Sequence, residues 1–240
     1  ILPPDRVIAS RVEPETPISG LCQTTSTLAS GNLFFAIRGS QIDGHTFLEE
    51  VKNKRAFAAV ETRAAFEAFP NTILVDSTRR ALAEAASWWY GEPTGSIDLV
   101  GVTGTNGKTT TAFLLEGAWR AEGFKTGLIG TVEYRIGKDV VPAPLTTPDA
   151  LTLQGLFARM RLQGVDCAAM EVSSIALDQS RVAGSRFRVG VFTNFTPDHL
   201  DYHGSMEQYL AASRPGANHR RLDALIGEWK ADHDTGGTEQ

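Results

Sequence analysis

Short apolar runs rich in β-branched residues alternate with longer amphipathic stretches along most of the chain. The runs are Leu33–Ile37, Phe57–Val60, Thr72–Val75, Asp98–Val102, Thr126–Ile129, Asp166–Val172 and Val189–Thr193. Amphipathic stretches at Arg79–Tyr90, Thr109–Glu122 and Pro148–Gln163 lie between several of them and predict helices. Continuous apolar strands separated by helices imply a mostly parallel sheet covered on both faces, and therefore an α/β fold class. The last helix has readable ends. Thr147 can cap it, Pro148 suits its first turn, Asp149 complements its dipole, and Gly164 closes it.

The pattern breaks twice. Gly91-Glu-Pro-Thr-Gly-Ser96 is a turn-rich interruption after Trp88-Trp89-Tyr90. It suggests a small first domain over residues 1–94 and a second starting at residue 95 and running to 212. From Ser213 to Gln240 the character changes: Ser-Arg-Pro-Gly, one short helical stretch at Leu222–Trp229, then the polar run DHDTGGTEQ. Residues 213–240 are expected to be a divergent, disordered tail. There is no internal repeat or low-complexity segment.

Composition narrows the class only a little. Over 240 residues, 42% hydrophobic and 21% charged content are those of a globular protein. No stretch approaches the ~20 apolar residues of a membrane span, and Ile-Leu-Pro-Pro-Asp-Arg at the start is no secretory signal. Cys22 and Cys167 have neither CxxC nor metal-ligand spacing, so both read as buried reduced thiols, which fits the cytoplasm. A net charge of −5 argues against nucleic acid as a partner, yet local cations and glycine loops can still hold phosphates.

One segment carries chemistry on its own. In Val100-Gly-Val-Thr-Gly-Thr-Asn-Gly-Lys-Thr-Thr110 a buried strand enters a glycine turn, and Lys108 and Thr109 open a helix. Backbone N–H groups of such a turn, with the helix N-terminus behind them, cradle phosphate oxygens. Lys108 would reach the outer phosphates and Thr109 would ligate magnesium, while Gly104 and Gly107 let the backbone approach the nucleotide. The pattern departs from GxxxxGK[ST], because position 102 is Val.

The variant GTNGKTT resembles the Mur ligase family and its relative folylpolyglutamate synthetase. Further motifs follow the order seen in the Mur branch that adds the third peptide residue to the peptidoglycan precursor. They are Gly31-Asn-Leu-Phe-Phe-Ala-Ile-Arg-Gly-Ser-Gln-Ile-Asp-Gly44, Leu145-Thr-Thr-Pro-Asp149, Met170-Glu-Val-Ser-Ser-Ile-Ala-Leu-Asp-Gln-Ser-Arg-Val182 and Thr193-Asn-Phe-Thr-Pro-Asp-His-Leu-Asp-Tyr-His-Gly204. The resemblance spans about residues 18–212. It implies ATP and Mg2+ as cofactors and, as substrates, UDP-MurNAc-L-Ala-D-Glu and an amino acid, meso-diaminopimelate or lysine. The implied reaction phosphorylates the free carboxylate to an acyl phosphate, which the amino acid then attacks.

Residue by residue, the resemblance puts ATP against Gly104, Thr105, Asn106, Gly107, Lys108, Thr109, Thr110 and Asn194. Metal binding falls to Thr109, Glu171 and His199, and catalysis to Lys108, Glu171 and His199. A buried structural acid is the competing reading of Glu171, and an ordinary structural histidine that of His199. Thr146, Thr147, Ser173, Gln179 and Arg181 match positions that bind the UDP-MurNAc-dipeptide. Arg181 is physically apt, because a guanidinium grips a carboxylate or phosphate with two parallel hydrogen bonds; a surface ion pair is its alternative. In the first domain, Ser40-Gln41-Ile42 match a segment that contacts the uridine part of the substrate, and Thr25 keeps the hydroxyl of a family serine that docks it.

The chain departs from the family pattern at three places. Thr24-Thr25-Ser26 stands where the family has Asp-Ser-Arg, and Ile175 stands where it has His. Ser213 stands where a lysine becomes carbamylated and helps hold the second magnesium. A serine cannot form that carbamate. The expectation is therefore a C-terminally truncated ligase that does not complete the reaction and exposes a sheet edge prone to aggregation. The alternatives are a nucleotide- and UDP-sugar-binding protein that makes no bond, or an amide ligase of another Mur or folylpolyglutamate type.

Overall fold

A computed structural model of the chain describes residues 1–213. It contains two sheets. The first is built from β1 (Val7–Ser10), β2 (Gly20–Cys22), β3 (Asn32–Phe35), β4 (Phe57–Val60) and β5 (Thr72–Val75), in the order β1-β5-β4-β3-β2. Strands β2 to β5 run parallel, and β1 adds to β5 antiparallel. Helices α1 (Leu48–Asn53), α2 (Arg63–Ala68) and α3 (Thr78–Trp89) connect and cover it. The faces of this sheet are dry: Leu33, Phe34, Phe35, Ala59 and Val60 are all at 0–1% exposure.

The second sheet holds β6 (Asp98–Thr103), β7 (Thr126–Ile129), β8 (Glu133–Ile136), β9 (Asp139–Pro142), β10 (Cys167–Glu171) and β11 (Val189–Phe192). Its order is β11-β6-β10-β7-β8-β9. The four strands from β11 to β7 are parallel, and β8 and β9 extend the sheet as an antiparallel hairpin. Helices α4 (Lys108–Ala121) and α5 (Ala150–Leu162) flank it. The short α6 (Ser174–Asp178), α7 (Leu200–His203) and α8 (Met206–Ser213) gather near the carboxyl ends of its parallel strands. The α/β class and mostly parallel sheets match the reading from the pattern.

All seven apolar runs became strands, and all three amphipathic stretches became helices with ends shifted by a residue or two. The unread elements are those without a continuous apolar signature. In β8, Glu133 and Arg135 alternate with buried Tyr134 and Ile136, the period-2 pattern of a half-buried strand. Its turn is made possible by Gly137 at φ 59°. Helices α6 to α8 are too short to show a helical period.

Two details correct the sequence reading. Asp149, not Thr147, caps α5, its carboxylate accepting from the N–H groups of Leu151 and Thr152 at 3.1 Å each. Ser213, expected to open the tail, is the last residue of α8 and is buried. The rest of that tail, with its helix at Leu222–Trp229, lies outside the described residues. As for the sheet edge, among the described residues β11 pairs with β6 alone.

The turn at Gly91–Ser96 lies between the last helix of the first sheet and the first strand of the second. Helices α3 and α5 pack against each other there, with Ala150 entering the core beneath the first sheet. The backbone approach is close: a Cβ on Gly184 would meet the Ala83 carbonyl, its carbon at 2.9 Å.

Candidate functional site

The parallel strands of the second sheet end at one cavity of about 450 Å³. The carboxyl edge of a parallel sheet is where α/β folds place ligands. The cavity floor is the loop Gly104–Gly107, between β6 and α4. Gly104 sits at φ 121° and Gly107 at φ 83°, conformations that side chains disfavour. No side chain caps α4, so the amides of its first turn are available to an acceptor. Lys108 folds over the loop, its ammonium donating to the carbonyls of Gly104 and Thr105 at 2.7 Å each. Burial pulls Lys108 below the usual lysine range, and the negative charges of Glu171 and Asp198 oppose that shift.

The segment after β11 braces the loop from behind. Asn194 accepts from the Asn106 N–H at 3.0 Å and donates to the Asn106 carbonyl at 3.0 Å. Its own carbonyl takes the Thr105 N–H at 2.9 Å. Thr193 Oγ1 donates to the Asn106 carbonyl at 2.6 Å. Asn194 thus meets the loop backbone rather than lining the cavity, and Thr110 faces solvent one turn into α4.

Glu171 ends β10, in register with Val102 of β6 and 1% exposed. Thr109 Oγ1 donates to its carboxylate at 2.9 Å. The Thr131 N–H donates to the other carboxylate oxygen at 2.8 Å, and the Thr131 hydroxyl to the first at 3.1 Å. Gly130 makes room, since a Cβ there would collide with that carboxylate. A hydroxyl and a carboxylate side by side next to the Gly104–Gly107 loop are hard oxygen donors. They suit magnesium, which takes one or two protein ligands and completes its shell with phosphate oxygens and water. No cluster of three or more His, Cys, Asp or Glu is placed to hold a metal among the described residues. His199 lines the same cavity from the start of α7, in the left-handed conformation at φ 51°.

The opposite wall comes from the loop before α5 and from α6. Thr147 Oγ1 donates to the Glu171 carbonyl at 2.9 Å and accepts the Ser173 N–H at 3.1 Å. This knot occupies Thr147, which is why Asp149 takes over the cap. Arg181 makes no ion pair among the described residues. It donates to the Thr147 carbonyl at 2.7 Å and to Gln179 Oε1 through two nitrogens at 2.8 and 3.1 Å. Burial lowers its pKa from the ordinary arginine value, while the charge of Asp149 pulls it back up. Thr146, Thr147, Ser173 and Arg181 all line the cavity; Gln179 stands one bond behind, between Arg181 and Tyr202.

The cavity therefore joins Gly104, Thr105, Asn106, Gly107, Lys108, Thr109, Thr146, Thr147, Glu171, Ser173, Arg181 and His199. It does not include Thr25, Ser40, Gln41 or Ile42. Ser40 to Ile42 form an exposed loop tip of the first sheet, and Thr25 lies half-buried in a short 3-10 turn. Five lining residues were not assigned to the site from the sequence: Thr131, Leu145, Ser174, Ile175 and Tyr209. Thr131 could have been found from its place two residues after the strand that ends at Ile129. Tyr209, 2% exposed, has no local signal; its hydroxyl is 3.1 Å from Thr105 Oγ1 in the loop. Ile175 adds an apolar side chain to an otherwise polar wall, and Ser213 is not in the lining.

Residues 102–215 match the Mur ligase middle domain. The chain is 51% identical over 185 residues to the UDP-N-acetylmuramoyl-L-alanyl-D-glutamate–2,6-diaminopimelate ligase of Geobacillus kaustophilus, covering 77% of this chain and 38% of that protein. The chain carries a Mur ligase middle domain. The ligase of the same name from Bacillus cereus is 44% identical over 208 residues, 87% of this chain and 42% of the relative. A solved structure of a UDP-N-acetylmuramoyl-L-alanyl-D-glutamate–2,6-diaminopimelate ligase superposes with a TM-score of 0.70 at 28% identity, over 82% of this chain and 40% of that one. The chain spans about two-fifths of the length of the curated relatives it matches. No helix among its described residues is long and apolar enough to cross a membrane.

Proposed function

We propose that this chain is the UDP-substrate-docking and ATP-binding portion of a cytoplasmic ligase that adds the third peptide residue, meso-diaminopimelate or lysine, to UDP-MurNAc-L-Ala-D-Glu. In this reading residues 1–94 dock the UDP-sugar through Thr25, Ser40, Gln41 and Ile42, and residues 95–212 bind ATP. The observation that carries it is the shared cavity. The phosphate loop with Lys108 forms one side, and Thr146, Thr147, Ser173 and Arg181 form the other. A γ-phosphate held on the loop faces a carboxylate held by Arg181.

The chemistry follows from that apposition. A carboxylate oxygen of the acceptor attacks the γ-phosphorus, the bond to ADP breaks, and an acyl phosphate results. The amine of the incoming residue then attacks the acyl carbon, and phosphate leaves. Lys108 offsets charge on the transferring group, and the loop amides orient it. Thr109 and Glu171, with His199 nearby, would hold magnesium, which when bound neutralises the phosphate oxygens. Arg181 fixes the acceptor through its two-pronged donor geometry.

A binding-only reading is favoured for residues 1–240 themselves by one observation. Ser213, buried at 2% exposure, offers no amine for a carbamate. Calorimetric titration with MgADP and with UDP-MurNAc-L-Ala-D-Glu, followed by an ATP-turnover assay with diaminopimelate or lysine, decides both points. Binding of both ligands without amide formation is the expected result. Amide formation would remove the binding-only reading, and failure to bind either ligand would remove the proposal.

A further inference from the structure

We propose that Thr131 is the positioning residue that aims Glu171 at the metal and ties the acceptor-side loop to the nucleotide side. The inference rests on the magnesium role given to Thr109 and Glu171 above. Nothing in the motifs singled out Thr131. It enters only through its contacts.

Those contacts form a socket. The Thr131 N–H and hydroxyl each hold one oxygen of the Glu171 carboxylate, at 2.8 and 3.1 Å. Gly130, immediately before it, leaves the space the carboxylate fills. A glutamate carboxyl would otherwise turn about its last single bond, Cγ–Cδ; two donors from one residue set its plane. The oxygen that takes the Thr131 hydroxyl is the same one that takes Thr109 Oγ1 at 2.9 Å. Thr131 therefore orients the oxygen paired with the loop's own metal donor. Supporting groups of this kind around a ligating carboxylate commonly change metal affinity by about tenfold or more when removed.

The same hydroxyl faces the other wall. Thr146 Oγ1 lies 3.1 Å from Thr131 Oγ1. A hydroxyl has one proton. With the Thr131 proton committed to Glu171, Thr131 must accept from Thr146. Thr146, Thr131 and Glu171 then form a directed chain from the acceptor loop to the metal acid. A neighbour, Thr147, holds the Glu171 carbonyl, so both ends of that residue are anchored to the acceptor-side walls.

The test is the gain in ADP affinity on adding Mg2+, measured by calorimetry with Mg2+ and with EDTA for wild type, Thr131→Val and Thr131→Ser. Valine keeps the shape and the backbone N–H but removes the hydroxyl. In Thr131→Val the magnesium-dependent gain should shrink by about tenfold, while affinity in EDTA, set by the untouched loop, stays at the wild-type value. Thr131→Ser should restore the gain. A merely structural role would lower both affinities together, and that result would overturn the inference, as would a full gain in Thr131→Val. If wild type itself shows no gain and Glu171→Gln behaves the same, the magnesium reading falls and this inference falls with it.

Discussion

Replacing Gly104 by alanine tests the phosphate loop at its tightest point. At φ 121° an L-residue is strained, at a cost of about 1–3 kcal/mol. The added Cβ would also press on Thr193 Oγ1 and lie 2.8 and 3.0 Å from the Asn194 carbonyl oxygen and nitrogen. Backbone cannot yield as a side-chain tip can, so the Asn194 brace must shift. That brace carries three hydrogen bonds to Thr105 and Asn106, each worth about 1 kcal/mol. Together with the strain, losing one or two of them brings the total to roughly 2–5 kcal/mol. The unliganded loop can relax and escape this cost, but a bound phosphate demands the original shape, so the penalty falls on binding. At about 1.4 kcal/mol per tenfold, MgADP affinity should drop by roughly thirtyfold to a few thousandfold. Calorimetry measures it, with thermal unfolding as the control for fold. Affinity within threefold of wild type at an unchanged unfolding midpoint would refute the assignment of Gly104 to the phosphate-binding floor.

Other substitutions probe the remaining parts of the molecule separately. Arg181→Lys removes the planar fork that reaches the Thr147 carbonyl and Gln179, and should weaken UDP-MurNAc-L-Ala-D-Glu binding about tenfold or more in a titration while leaving MgADP affinity unchanged. Gly184→Ala drives a methyl group into the Ala83 carbonyl between the two sheets, and should lower stability in urea unfolding by about 1–3 kcal/mol. Burial pushes the Cys167 thiol up to about 11 from an ordinary 9.0, with the charges of Asp166, Asp98 and Glu116 adding to it. Between those pH values the unfolded chain releases a proton that the folded chain keeps, so stability falls as pH rises from 9.0 toward about 11. Cys167→Ala should flatten that alkaline decline in unfolding experiments run across the window, and an unchanged slope would count against it.

The sequence disclosed the parts that carry local signatures. Continuous apolar runs marked the buried parallel strands, and the glycine turn before Lys108 marked the loop, because both depend on neighbours in the chain. What it hid depends on distance. Thr131 and Tyr209 reach the site through contacts 40 and 104 residues away, to Glu171 and Thr105, and neither residue type signals that on its own. Thr147 shows how two local readings compete. It has the chemistry of a cap, yet the nearby Glu171 carbonyl and Ser173 N–H claim its hydroxyl, leaving the cap to Asp149. The Ser40–Ile42 loop was readable as a motif, but its separation from the cavity was not, because nothing local fixes where one sheet places its loop tips relative to the other.

The most direct test is a crystal structure of the chain with MgADP and UDP-MurNAc-L-Ala-D-Glu bound together. The β-phosphate is expected on the amides of Gly104 to Thr109, magnesium at Thr109 and Glu171, and the acceptor's terminal carboxylate beside Arg181 and Thr146. A nucleotide bound away from this loop, or an acceptor whose carboxylate points out of the shared cavity, would contradict it.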